Sequence, residues 1–217
     1  MTSKQLSGWL LVLGPLTVFI LAGFLKTVLV GPAETTLSAV TEIDANQSVT
    51  VILTILGAIG FVAALIGAIM LTDEMRVGDK LSNGLARIGG VILVGITALA
   101  MVAAMVDAAT VGALQSTAGD AAQRFQSAVQ IQIIGQTLWA GMFFFWGIAF
   151  LLLGMALVMQ KKLHIVVDWL FVIFGALFVI LSIVPLDLAA SVGLIIFGLM
   201  SLNTVAAGII QLRSKDS

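Results

Sequence analysis

The run VQIQIIGQTLWAGMFFFWGIAFLLLGMALVM, residues 129–159, carries no charged side chain. About twenty apolar residues, rising 1.5 Å each in a helix, already cross the roughly 30 Å of hydrocarbon in a bilayer. A helix can cross there because all its backbone hydrogen bonds are made within the segment. The run is therefore a membrane-spanning helix, and the other elements must pack beside it. Within it Gln132, Gln136 and Trp139 fall at i, i+4 and i+7, on one helical face, and Gly147 and Gly154 stand seven residues apart further along.

The rest of the chain fits that setting. Hydrophobic residues make up 60% and charged residues 10%, with a mean hydropathy of +1.18, whereas soluble domains are about a quarter charged. In 217 residues there is room for six spans and short connections, and none for a separate soluble domain. The expected fold is all-α: a single transmembrane domain, residues 1–217, with spans near 6–30, 48–71, 85–114, 129–159, 166–184 and 188–212. The first run is too long for a signal peptide and lacks a small-residue cleavage pattern, so it reads as a retained span kinked at Pro15. Lys26, about one turn from its end, is expected to snorkel outward.

Basic residues in the connections give the orientation. Lys4, Arg76, Lys80, Arg87, Lys161, Lys162, Arg213 and Lys215 fall on one side, and Lys26 and Arg124 on the other. That bias places both termini in the cytoplasm. Residues 31–47 read as a polar outer connection, with Asn46 or Ser48 capping the second span, and Asp120 with Gln123 forms a capping box that starts the fourth helix before the bilayer.

The chemical repertoire is narrow. There is no cysteine, no tyrosine and one histidine, His164, so thiolate chemistry is absent and no cofactor or metal site is expected. No nucleophile–base pair or HExxH pattern occurs, and an enzyme is not expected. A net charge of −1 offers none of the basic footprint that nucleic acid requires.

Polar groups at membrane depth are costly and are functional candidates by default. The set here is Asp107, Gln132, Gln136 and Asn203, with Asp187 and Lys26 at the margins. Thr97, Ala100, Ala104 and Asp107 share one face of the third span, so Asp107 is expected to look into the bundle or at the rim; if the third and fourth spans pack together, it could approach Gln132 or Gln136 and bind a cation, a proton or a polar ligand. The plainer reading makes the glutamines interhelical glue and puts the charges in the headgroup zone. His164 and Asp168, at i and i+4, are close enough for an ion pair. Ser201, Asn203 and Thr204 could line a pathway, or bond their own helix. Trp139, Phe143, Phe144, Phe145 and Trp146 are expected to face lipid, and the methionines to act as filler.

Small residues mark the packing faces. Gly57, Gly60, Ala64 and Gly67 form a stripe on the second span, and Gly147 and Gly154 a second pair on the fourth. The runs 60–70 and 147–159 echo each other, which would suggest a parallel repeat of hairpins, although glycine-rich apolar runs also resemble one another by chance.

The order of features resembles an uncharacterised six-helix bacterial and archaeal family, domain of unknown function 4386. The resemblance rests on an acidic outer loop, a glycine-rich second span, LARIGGVIL at 85–93, GIAFLLLG at 147–154 and the pair Trp169-Leu170 after a short basic turn. The Pro-Arg of that family's turn is replaced here by KLHIVVDWL. The resemblance implies fold and topology, and with them a prokaryotic cytoplasmic membrane, and supplies no catalytic residue.

The first functional expectation is a structural or accessory membrane component, acting through membrane lipids, a homo-oligomer or other membrane subunits. The alternative is a small transporter or channel-like carrier for a small solute or cation.

Overall fold

The computed structural model describes residues 1–76, 79–183 and 186–214, the stretch 186–194 by its backbone alone. Every regular element among them is helical. In chain order these are α1 (Ser3–Leu29), α2 (Thr36–Ala45), α3 (Gln47–Glu74), α4 (Lys80–Ala103), α5 (Val106–Leu114), α6 (Ala121–Gln160), α7 (Ile165–Leu181) and α8 (Leu186–Arg213). Five stretches are long and apolar enough to cross a membrane: α1, α3, α4 with α5, α6, and the 195–213 part of α8. α7 is equally apolar in character but has 17 residues, a rise of about 26 Å.

The long helices form a closed ring. α1 packs on α3, α3 on α4, α4 and α5 on α6, α6 on α7, α7 on α8, and α8 returns to α1. Glycines set the closest approaches. A Cβ at Gly14 would lie 2.8 Å from the Gly60 carbonyl oxygen, and one at Gly175 would lie 2.4 Å from the Leu151 nitrogen. The expected stripes are thus used within the chain: Gly57, Gly60 and Gly67 face α1, while Gly147 and Gly154 face α7. The two echoing runs therefore meet non-equivalent neighbours, and the glycine contacts do not follow a hairpin repeat.

The ring encloses an aromatic core. Phe61 of α3, Trp146 and Phe150 of α6, and Phe171 and Phe178 of α7 are buried, with Trp146 stacked on Phe178 at 5.8 Å and edge-on to Phe61 at 5.1 Å. This corrects the lipid-facing expectation for the aromatic cluster. Residues 143–146 are consecutive, so they point around the helix, and it is Phe145 that stands outward, 52% exposed. Met75, Met142 and Met200 fill the core. Outward faces carry Ile59, Val91 and Ile195, each more than 60% exposed, as lipid contact requires.

Both described termini lie at one end of the bundle, the terminal end. Ser7 Oγ there is 3.0 Å from the Gly67 carbonyl and 3.0 Å from Gln211 Oε1, and Gln211 Nε2 donates to the Glu74 carboxylate at 3.3 Å. Lys162 adds a longer ion pair to Glu74, at 3.8 Å. Beside it Gln160 Nε2 donates to the Met75 carbonyl and to Ser82 Oγ. Asp79 caps α4, accepting from the backbone N–H groups of Leu81 and Ser82 at 2.8 Å, and the Ser82 N–H holds its carboxyl below the usual range.

The opposite end carries α2, which the sequence reading treats as a plain connection. Thr35 and Ser38 form a reciprocal cap at its start, and Val40 and Ile43 bury one side against the bundle. Asn46 does not cap α3 with its side chain; its Nδ2 donates to the Val30 and Glu42 carbonyls. The Asp120–Gln123 box is present and starts the 40-residue α6, about 60 Å long and so far longer than a bilayer is thick.

Candidate functional site

Two interruptions of helical winding face each other near the α2 end. In α1, Pro15 lacks the N–H that would complete its turn, and soon after it Val18–Leu25 adopts π-helical winding, ending with the Lys26 N–H bonded to the Leu21 carbonyl. Across the bundle the expected third span is broken: α4 stops at Ala103 and α5 starts at Val106, with Met105 between them at φ −88°, ψ 1°. Such interruptions occur in membrane helices where they are buried in protein or border a cavity. The break places Asp107 in the first turn of α5, where unpaired backbone N–H groups favour negative charge.

Lys26 does not snorkel outward. Its Nζ meets Asp107 Oδ2 at 2.5 Å, with the two side chains 33% and 20% exposed. Asp107 Oδ1 accepts from Gln132 Nε2 at 2.8 Å, and Thr54 Oγ1 lies 3.5 Å from Oδ2. The second amide proton of Gln132 goes to Thr110 Oγ1 at 3.0 Å, and Thr110 in turn donates to the Val106 carbonyl. The buried carboxamide is therefore oriented from both sides. Gln136, one turn further along α6, pairs instead with Thr36 of α2 at 3.1 Å, tying the short helix to the rim.

These groups border a cavity of about 300 Å³ enclosed by α1, α3, α5 and α6 together with the α4–α5 break. Its polar lining is Lys26, Thr54, Asp107, Gln132 and Gln136; Phe61 and Trp139, edge-to-face at 5.5 Å, supply its aromatic surface. Ala22, Ala58, Ala103 and Ala104 are the small side chains on its wall, whereas Gly57 and Gly135 are closed over by Ala22 and Val106. Three of the four polar candidates from the sequence thus meet in one place, with Lys26 added. Thr54 and Thr110 were not singled out in the sequence; Thr54 stands three residues before Gly57 and so on the flank of its stripe, whereas Thr110 offers no comparable signal.

Asn203 is not part of this group. It lies in α8 with its Nδ2 donating to the Val167 carbonyl of α7 at 3.2 Å, and its buried Oδ1 has no partner among the described residues. Thr204 bonds the Met200 carbonyl four residues back. His164 and Asp168 form no ion pair: His164 Nδ1 accepts from the Val166 N–H and caps α7, while Asp168 is fully buried. The side chain of Asp187, the Pro185 link and Lys215 lie outside the described residues. No cluster of three or more potential metal ligands occurs among the described residues.

No family model, curated protein or solved structure matches the chain.

Proposed function

We propose that this chain is a six-span membrane carrier that binds a small polar solute in the cavity beside Lys26 and Asp107. The observation that carries the reading is the cavity itself. It brings an ion pair, an oriented carboxamide and an aromatic surface to one place, where α1 is π-wound and the third span is broken. Ligand sites in membrane carriers are built at such interruptions, because freed backbone groups and polar side chains face a cavity there instead of lipid. The accessory reading drew on glycine stripes free to meet another subunit. Those stripes are engaged by α1 and α7 of the same chain, and they do not account for the cavity.

In this reading α7 and α8 both cross, giving six spans, and both termini are cytoplasmic in a prokaryotic plasma membrane. The excess of basic residues at the terminal end supports that orientation, as does the Ser7–Gln211 contact that brings the two ends of the chain together. The topology is that of the six-helix family of unknown function which the sequence resembles.

The natural absence of cysteine makes the test direct. Cysteine placed at Ala58 or Ala104, both on the cavity wall, is expected to react with a membrane-impermeant methanethiosulfonate added to intact cells, and cysteine at the fully buried Ala86 or Ala149 to stay unreacted. Unreactive cysteines at both wall positions, in protein that extracts as a single species, would refute an aqueous ligand cavity.

A further inference from the structure

The hydrogen-bond valences around the ion pair narrow the ligand class. This inference rests on the carrier reading and deepens it. An ionised carboxylate offers about four acceptor sites; Asp107 commits two of them, to Lys26 and Gln132, with Thr54 Oγ1 at the longer distance of 3.5 Å. Both amide protons of Gln132 are committed, to Asp107 and Thr110. An ammonium has three N–H donors, of which the Lys26–Asp107 contact takes one. The valences left at the pair are therefore two N–H donors on Lys26 and at least one acceptor site on Asp107, side by side.

Charge selects among ligands more strongly than valence does. The positive and negative centres of the site are one hydrogen bond apart, at 2.5 Å. A lone anion docking on Lys26 meets the Asp107 carboxylate at nearly the same distance, so repulsion cancels much of the attraction; a lone cation docking on Asp107 meets Lys26 in the same way. A ligand whose own opposite charges are similarly spaced can lie antiparallel to the pair, so that each charge meets its complement and the neutrality of the site is kept. The cavity holds the equivalent of roughly ten waters at about 30 Å³ each, and Phe61 and Trp139 offer an apolar surface for the rest of the molecule.

We infer that the cavity binds a small zwitterion carrying adjacent ammonium and carboxylate groups on a compact apolar body, the class of aliphatic α-amino acids. The ligand carboxylate accepts from the free N–H groups of Lys26. Its ammonium donates to a remaining acceptor site of Asp107, and its side chain lies against Phe61 and Trp139.

The test uses the full-length protein in lipid nanodiscs, with the Ala104→Cys and Ala58→Cys reporters and three probes that share one branched body. L-Leucine carries both charges, 4-methylpentanoate lacks the ammonium, and 3-methylbutylamine lacks the carboxylate. Leucine at about nine times its Kd is expected to slow thiol labelling about tenfold by mass action, while the two single-charge probes at equal concentration leave the rate unchanged. Lys26→Met in the same reporter background is expected to abolish the protection without abolishing labelling. Protection by either single-charge probe as strong as by leucine overturns the zwitterion class and leaves the ligand cavity standing. Labelling that none of the three probes slows also overturns the class. Failure of both reporters to label at all is a different result and refutes the carrier reading itself.

Discussion

Lys26 and Asp107 provide the most quantitative test of the site, because neither residue has another charged partner among the described residues. Two unit charges 4 Å apart attract by about 4 kcal/mol at an effective dielectric of 20, and removing one member of a fully buried pair costs about 3–5 kcal/mol. Here the side chains keep 33% and 20% of their exposure, so screening reduces the single-variant cost to about 2 kcal/mol for Lys26→Met or for Asp107→Asn. Each single variant strands one charge at the cavity wall. The double variant strands none, and what it still loses is the charge-assisted contact from Gln132, about 1 kcal/mol. A double-mutant cycle should therefore give a coupling of about 3 kcal/mol, at the upper end of the range for residues in direct contact. Unfolding in mixed micelles, followed by the fluorescence of the four tryptophans, measures all four corners of the cycle. Effects that add within about 0.5 kcal/mol would refute the pair as an energetic unit and reduce the contact to two side chains that happen to meet.

Two further predictions concern packing and capping. A Cβ at Gly154 would meet the Val172 backbone nitrogen at 2.6 Å, whereas one at Gly141 meets nothing within 4 Å; Gly154→Leu is expected to destabilise by at least the 1–3 kcal/mol typical of overpacking and Gly141→Leu to stay within about 0.5 kcal/mol, with equal losses in thermal unfolding arguing against the α6–α7 approach. Asp79 has a folded-state pKa below its ordinary value, so its cap on α4 contributes above the unfolded pKa and is lost as pH falls through the depressed folded value; amide exchange at Leu81 and Ser82 should stay slow through mildly acidic pH and quicken in Asp79→Ala, and unchanged exchange in that variant would remove the cap from the account.

What was readable in the sequence follows the length scale of the signal. Spans of twenty or more apolar residues announce themselves because nothing else explains uncharged runs of that length, and the positions of α3, α6 and α8 track them closely. Asp107, Gln132 and Gln136 could be placed in one region because helical periodicity put the two glutamines on a shared face and Asp107 toward the bundle or its rim, and the antiparallel order put them at one end. Lys26 is expected from the sequence to snorkel outward, as a lysine near a span end commonly does; its turn toward Asp107 follows the π-wound residues 18–25, which carry no distinctive pattern. The same limit hid the break at Ala104–Met105, where no glycine or proline interrupts the run. Asn203 was grouped with the others by chemistry alone. Its position in α8 puts it opposite Val167 of α7, outside the residues that enclose the cavity. The aromatic run misled for a related reason: consecutive positions say nothing about which of them the ring of helices turns inward.

The two ends of the bundle are built on opposite principles, and the contrast bears on how a carrier of this kind could move. At the terminal end glycines bring α1 against α8 at Gly8 and Gly208, and the Ser7, Gln211, Glu74 and Lys162 side chains link α1, α3, α8 and the α6–α7 turn. Buried polar contacts of that kind are costly to separate without a replacement partner. At the α2 end the winding of α1 is relaxed, the third span is interrupted, and small residues leave a cavity where the other end has interlocked backbones. In the proposed carrier, a bundle closed at one end and hollow at the other would be one of the two states that alternating access requires. Release to the opposite side would then require the Ser7–Gln211–Glu74 contacts to part. On that proposal the barrier to turnover would sit at the terminal end and ligand selection at the Lys26–Asp107 pair, with the aromatic core around Trp146 between them.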